Sequence, residues 1–215
     1  IIKEASINKE IRRNLTNPYG LNPIGEQSGM DKSDLRSVIY DSKIKTWISP
    51  FLMAGINTKI VRRSNALSNY NYGKEFKYDE AVMTGTGFKG RLKGIILSIP
   101  LIFLSAKPGS LFNKIFNFLS PKPGKGPNKK ERESGYFSLR FYVFQENNDF
   151  SIYKVTGDKD PGYGSTSKML AESAVCLAKD ELNNNFGILT PSIAMSDSLL
   201  DRLVSKAGLK FSKIK

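Results

Sequence analysis

The chain has 215 residues, 40% hydrophobic and 25% charged, a composition that fits one large or two small globular domains with a sizeable core. It contains no histidine and one cysteine, Cys176, so by itself it builds no internal disulfide, no Ser-His-Asp or Cys-His hydrolase and no zinc set. Its 33 Lys and Arg against 20 Asp and Glu give a net charge of +13, spread over the whole length; no nucleic-acid module accompanies it, so no nucleic-acid partner is expected. Ile1 is not an initiator methionine and no secretory pattern follows it. The sequence therefore reads as the trimmed or C-terminal part of a longer, intracellular protein.

In chain order, residues 1–45 read as an irregular polar lead-in after a short helix, broken at Asn17-Pro18-Tyr19-Gly20 and Asn22-Pro23. Thr46 to Phe51 leads into a helix that runs to about Leu67. Ser49 is its expected N-cap, Pro50 its first helical residue, and Met53, Ile56, Ile60, Val61 and Leu67 keep helical spacing. Arg62, Arg63 and Asn65 fall in the last turns. They either complement the negative end of the helix dipole or form an anion-binding patch facing a cleft. Phe76, Tyr78, Ala81 and Met83 read as a strand ending at Gly85-Thr86-Gly87. With Gly90 these glycines invite a dinucleotide-loop reading, which is set aside on spacing and because such a loop joins a buried strand to a helix inside a βαβ unit.

Gly94 to Ala106 carries no charge and is flanked by Arg91, Lys93 and Lys107. It is shorter than the roughly 20 residues that span a bilayer as a helix. Leu111, Phe112, Ile115, Phe116 and Leu119 follow at amphipathic spacing. Two readings stand: Ile99, Leu101, Phe103, Phe112 and Phe116 contact a membrane surface or lipid cleft, or the segment is a buried helix pair. Pro121 to Pro127 reads as an exposed basic loop. Phe137, Leu139, Phe141 and Val143 alternate as a strand, Asn147-Asn148-Asp149 turns, and Ser151–Thr156 returns as the hairpin partner. Asp160-Pro161-Gly162-Tyr163-Gly164 then turns into a helix to about Asp180, apolar on most faces, which calls for a large packing partner. It carries Cys176, expected as a buried, inert thiol. Thr190 and Pro191 start the last helix, Met195, Leu199 and Leu203 form its buried stripe, Gly208 ends it, and a terminal strand follows.

Strands and helices mix without βαβ alternation. The expected fold is therefore α+β, a mixed, largely antiparallel sheet covered by helices. Residues 46–160 read as a sheet-forming substrate or dimerisation domain with an apolar insertion at 91–120, and residues 161–215 as C-terminal helices.

Several motifs are familiar: Trp47–Ala54, Asn57–Leu67, Tyr72-Gly73, Phe76–Tyr78, Pro121–Gly124 with Gly126-Pro127, Gly157–Cys176, Gly187–Pro191 and Ala194-Met195. Together, over about residues 12–212, they resemble the saccharopine dehydrogenase-like oxidoreductases, which include the trans-acting enoyl reductases of glycolipid synthesis. The resemblance implies a Rossmann domain binding NAD or NADP that is largely absent from this chain, so the chain alone is expected to bind no cofactor. It implies that this is the second domain, closing the substrate cleft, with final helices that pack back onto the Rossmann half. A homodimer and a lipid or membrane surface are further partners to consider. Gly162, Tyr163, Gly164 and Thr166 could hold a cofactor phosphate or a carboxylate at a helix N-terminus, or Tyr163 could orient substrate, or the turn could be purely structural. Tyr163 and Lys168 are the first proton donors to test. The reading that follows is reduction of a lipid-linked double bond. Saccharopine dehydrogenation in lysine metabolism, and a basic membrane- or partner-binding module without catalysis, are the alternatives.

Overall fold

The computed structural model describes residues 4, 7–104, 114, 124, 126–145, 149–182 and 185–215, with the side chains of 102–104 left aside. It comprises two compact units, Ile1–Pro121 and Lys122–Lys215, each considered by itself.

The first unit begins with α1 (Lys9–Thr16), where the Asn8 side chain accepts from the N–H groups of Glu10 and Ile11 at 2.8 and 3.3 Å. Three antiparallel strands follow in spatial order β1 (Ile39–Asp41), β2 (Thr46–Pro50), β3 (Ala81–Gly85). Thr46–Pro50 is thus a strand and not the lead-in to a helix. Thr, Trp and Ile favour extended backbone, and Ser49, expected as a cap, is instead fully buried and donates its Oγ to the Gly94 carbonyl at 3.1 Å. Helix α2 (Ala54–Leu67) starts four residues past Pro50, with Met53 as an N-cap that makes no side-chain bond. Its buried face is mostly polar: Thr58, Lys59, Arg62, Ser64 and Asn65 point inward, while Ile56, expected in the core, is exposed.

Helix α3 (Gly87–Leu104) packs on β2 and β3. Gly90 and Gly94 are buried at that contact. A Cβ on Gly90 would fall 2.3 Å from the Gly85 carbonyl oxygen, and one on Gly94 would fall 2.8 Å from Val38. Gly85, Gly87 and Gly90 do stand at G-x-G-x-x-G spacing between a strand and a helix, so context alone sets the dinucleotide reading aside. That context is antiparallel: β3 pairs antiparallel with β2, and no parallel strand pair is present among the described residues. Gly85 and Gly87 serve the turn itself, with φ of +104° and +62°.

The second unit opens with α4 (Lys129–Ser134), closed by a capping box between Asn128 and Glu131. Strands β4 (Phe137–Phe144), β5 (Phe150–Gly157) and β6 (Leu209–Lys213) form an antiparallel sheet in that order, with Phe141 opposite Tyr153 and Val155 opposite Phe211. The residues expected to turn the hairpin, up to Asn148, lie outside those described. Helices α5 (Gly164–Lys179) and α6 (Pro191–Ser205) pack together, and α6 also meets β6. Their core is Cys176, Met195 and Leu199, with Leu182, Ala194 and Leu203 against it. Thr190 and Pro191 start α6 as expected, and Gly208 follows its end at φ +76°. The architecture is α+β, but with two small antiparallel sheets where one mixed sheet was expected.

Candidate functional site

The turn before α5 is organised by one carboxylate. Asp160 Oδ1 accepts from the N–H groups of Gly162 and Tyr163 at 3.0 and 2.9 Å, and Oδ2 accepts from Gly164 at 2.6 Å. The Asp160 carbonyl accepts from Ser165 N–H at 2.8 Å. Ser165, fully buried, donates to the Lys159 carbonyl, and Thr166 donates to the Pro161 carbonyl at 2.6 Å. Glycine is required at 164, where a Cβ would lie 2.7 Å from the Asp160 carboxylate and 2.9 Å from the Arg132 carbonyl. Desolvation pushes the Asp160 carboxyl up, but the three N–H donors outweigh it and hold the group below the usual carboxylate range.

Those donors are the ones expected to hold a cofactor anion. Here the chain supplies its own anion, and a phosphate arriving at this turn would meet a carboxylate. The residues present therefore do not form a cradle for a dinucleotide pyrophosphate. Tyr163 is half-exposed, its ring beside Gly126. Lys168 donates to both oxygens of Asp158 at 2.8 and 3.0 Å, and that contact, ahead of the opposing desolvation, holds the Asp158 carboxyl below its ordinary range. Tyr163 and Lys168 thus stand on one short segment, the first facing solvent and the second engaged in an ion pair.

The second cluster lies under α2. The Arg62 guanidinium is 3% exposed and bonds to Asp31 at 2.5 Å, to the Pro18 carbonyl at 3.2 Å, to Thr58 at 3.0 Å and to the Tyr78 carbonyl at 2.8 Å. It also lies over the Tyr19 ring. Asp31 accepts in addition from Tyr78 N–H, and Thr58 donates to Asp34. Arg63 donates to the Leu21 carbonyl. Asn65 holds the loop that follows, donating to the Gly73 carbonyl and accepting from Tyr72 N–H, both at 2.9 Å. These three polar residues thus tie the helix to the lead-in and to the 70s loop. Burial, with Glu80 beside it, pushes the Tyr78 hydroxyl well above its usual range. Burial pushes Lys59 down; its ammonium donates to the Leu15 carbonyl at the wall of an apolar hollow of about 310 Å³ lined by Ile11, Leu15, Leu21 and Ile56.

Of the residues expected at a lipid, Ile99 is exposed and Leu101 is half-buried. Phe112, Phe116 and the Phe103 side chain lie outside the described residues. No helix of the described residues is long and apolar enough to cross a membrane. Among them, no group of three or more His, Cys, Asp or Glu could hold a metal ion. Sequence reasoning missed Asp31 and Asp160. Asp160 carried a signal, an Asp two residues before a glycine at a helix start, the pattern of a side chain bonding its own following N–H groups. Asp31 carried none, because its partner Arg62 is 31 residues away.

The chain is 33% identical over 219 residues to a trans-acting enoyl reductase of Mycobacterium bovis, covering 94% of this chain and 51% of the relative. A Mycobacterium tuberculosis protein of the same name matches to the same extent. A trans-acting enoyl reductase of Mycobacterium ulcerans is 36% identical over 167 residues, 73% of this chain and 39% of the relative. The chain spans about half the length of the curated relatives it matches. No family model matches the chain, and no solved structure does.

Proposed function

We propose that this chain is the substrate-side and docking half of a saccharopine dehydrogenase-like, nicotinamide-dependent oxidoreductase that reduces a lipid-linked double bond. The observation that carries the reading is the match over 94% of the chain to only about half of proteins named trans-acting enoyl reductase. The cofactor is assigned to the remaining half, since the glycines here occupy an antiparallel turn and the α5 N-terminus is filled by Asp160. Hydride chemistry belongs to the nicotinamide, and a protein domain of this kind orients substrate and excludes water. Tyr163 is the proton donor to test, with Lys168 second.

The docking surface is the outer face of α5. One side of this helix is covered by α6 through Cys176. Leu170 and Leu177, two turns apart on an adjoining face, are 70% and 59% exposed. In the full-length protein this face packs on the cofactor half. The test is NADPH oxidation with an enoyl thioester by the full-length protein. Leu170→Glu with Leu177→Glu is expected to reduce turnover severely there while leaving the melting temperature of the present chain unchanged, because both side chains are already in water. A full-length double variant as active as the parent contradicts the docking. A full-length protein that neither binds NADPH nor reduces an enoyl thioester contradicts the assignment.

A further inference from the structure

The contact between α3 and its sheet is made by the side of the helix that carries Gly90 and Gly94. On a helix of 3.6 residues per turn, Phe88, Leu92, Ile95, Ile96 and Ile99 cluster on the opposite side. That side should carry polar residues if it faced water. It carries an apolar stripe three turns long, with side chains between 41% and 78% exposed. Lys89 and Lys93 border the stripe on one side and Arg91 on the other, all three exposed. Arg91 is held over the Trp47 ring, 5.4 Å from its centroid, which fixes its place along the border. The glycines on the inner side make the arrangement possible. They bring the helix axis close to the sheet, and a larger residue at 90 would meet the Gly85 backbone.

We infer that α3 lies flat on an anionic lipid surface, with Phe88, Leu92, Ile95, Ile96 and Ile99 in the acyl boundary and Lys89, Arg91 and Lys93 on the headgroups. An apolar stripe bordered by cations is the pattern of an interfacial helix on an anionic surface. The uncharged run from Gly94 to Ala106 extends the apolar character beyond the last stripe residue, and the net charge of +13 draws the chain toward such a surface. The inference stands on the geometry of α3 and does not depend on the reductase reading.

Co-sedimentation of the chain with phosphatidylcholine vesicles, with and without phosphatidylglycerol, tests it. Partition onto the anionic vesicles is expected, weakening as salt is raised. Replacing Phe88, Ile96 and Ile99 together by Gln should lower it by about tenfold or more. Lys89→Gln and Lys93→Gln should lower it by about fivefold each. Each variant should keep the parent far-ultraviolet circular dichroism, since the altered side chains are exposed. Ile24→Gln, at a 98% exposed apolar residue elsewhere in the same unit, should partition as the parent does. Equal partition onto neutral and anionic vesicles, or a triple variant that binds as well as the parent, overturns the inference. So does a full-length protein that ignores vesicles while shielding the stripe from hydrogen exchange, which would assign the stripe to the other half of the protein.

Discussion

Arg62 shows how a single side chain can define a unit. Its guanidinium gathers Asp31, Pro18, Thr58 and Tyr78 from three separate stretches of chain, and its ion pair is almost fully out of water. Replacing it by Met leaves the Asp31 carboxylate buried without its partner, a loss of about 3–5 kcal/mol. Urea unfolding should show the first unit destabilised by that amount, while Arg63→Met should cost far less, its bond to Leu21 being at the surface. Ser196 is a different case. It sits inside α6 at φ 42° and ψ −128°, a conformation suited to glycine. Ser196→Gly should therefore stabilise the second unit by about 1 kcal/mol, read from its thermal or urea midpoint. Asp180 binds Arg202 through two bonds of 2.6 Å, and chiefly for that reason its carboxyl is held down to about 2. An unfolded aspartate titrates near ~3.9, so the contribution is complete above that pH and is lost as pH falls through about 2. Melting temperatures of the parent and of Asp180→Asn should differ at pH 5 and converge as pH approaches 2.

At the scale of elements, the β4–β5 hairpin and α6 were legible because their signals are local. Phe137 to Val143 alternates with period two, and Thr190, Pro191 and Gly208 mark the helix ends. Strand β2 was hidden because Ser49-Pro50 mimics a helix start. What decides its state is pairing with β1 and with β3, whose residues lie more than 30 positions on, and the Ser49 hydroxyl adds a bond to Gly94, 45 residues away. The buried face of α2 was hidden for a related reason. A polar face goes inward only when distant partners such as Asp31 are present, and helical periodicity reads apolar residues alone. The candidate site divided along the same line. The Asp160–Thr166 turn could be located from its residues, but the filling of its N–H groups by Asp160 required coordinates. Helix α3 gives this scale its sharpest test. Ala in place of Gly ordinarily adds about 0.5–1 kcal/mol in a helix. Gly90→Ala should nevertheless lower the melting temperature, because the new Cβ would meet the Gly85 carbonyl at 2.3 Å and that atom is backbone.

At the scale of the whole molecule, the chain has more apolar surface than its two small units can use. Eight described apolar residues are buried, and the tightest cluster is only Cys176, Met195 and Leu199. Leu170 and Leu177 on α5 are exposed, and the relatives are about twice as long as the stretch they share with this chain. One account joins these facts. We propose that the chain orients substrate and docks, and that the part of the relatives it does not match carries the nicotinamide. Calorimetric titration of NADPH and NADH into the chain and into the full-length protein tests this most directly. Heat of binding is expected from the full-length protein alone, and a micromolar Kd for the chain by itself would contradict the account.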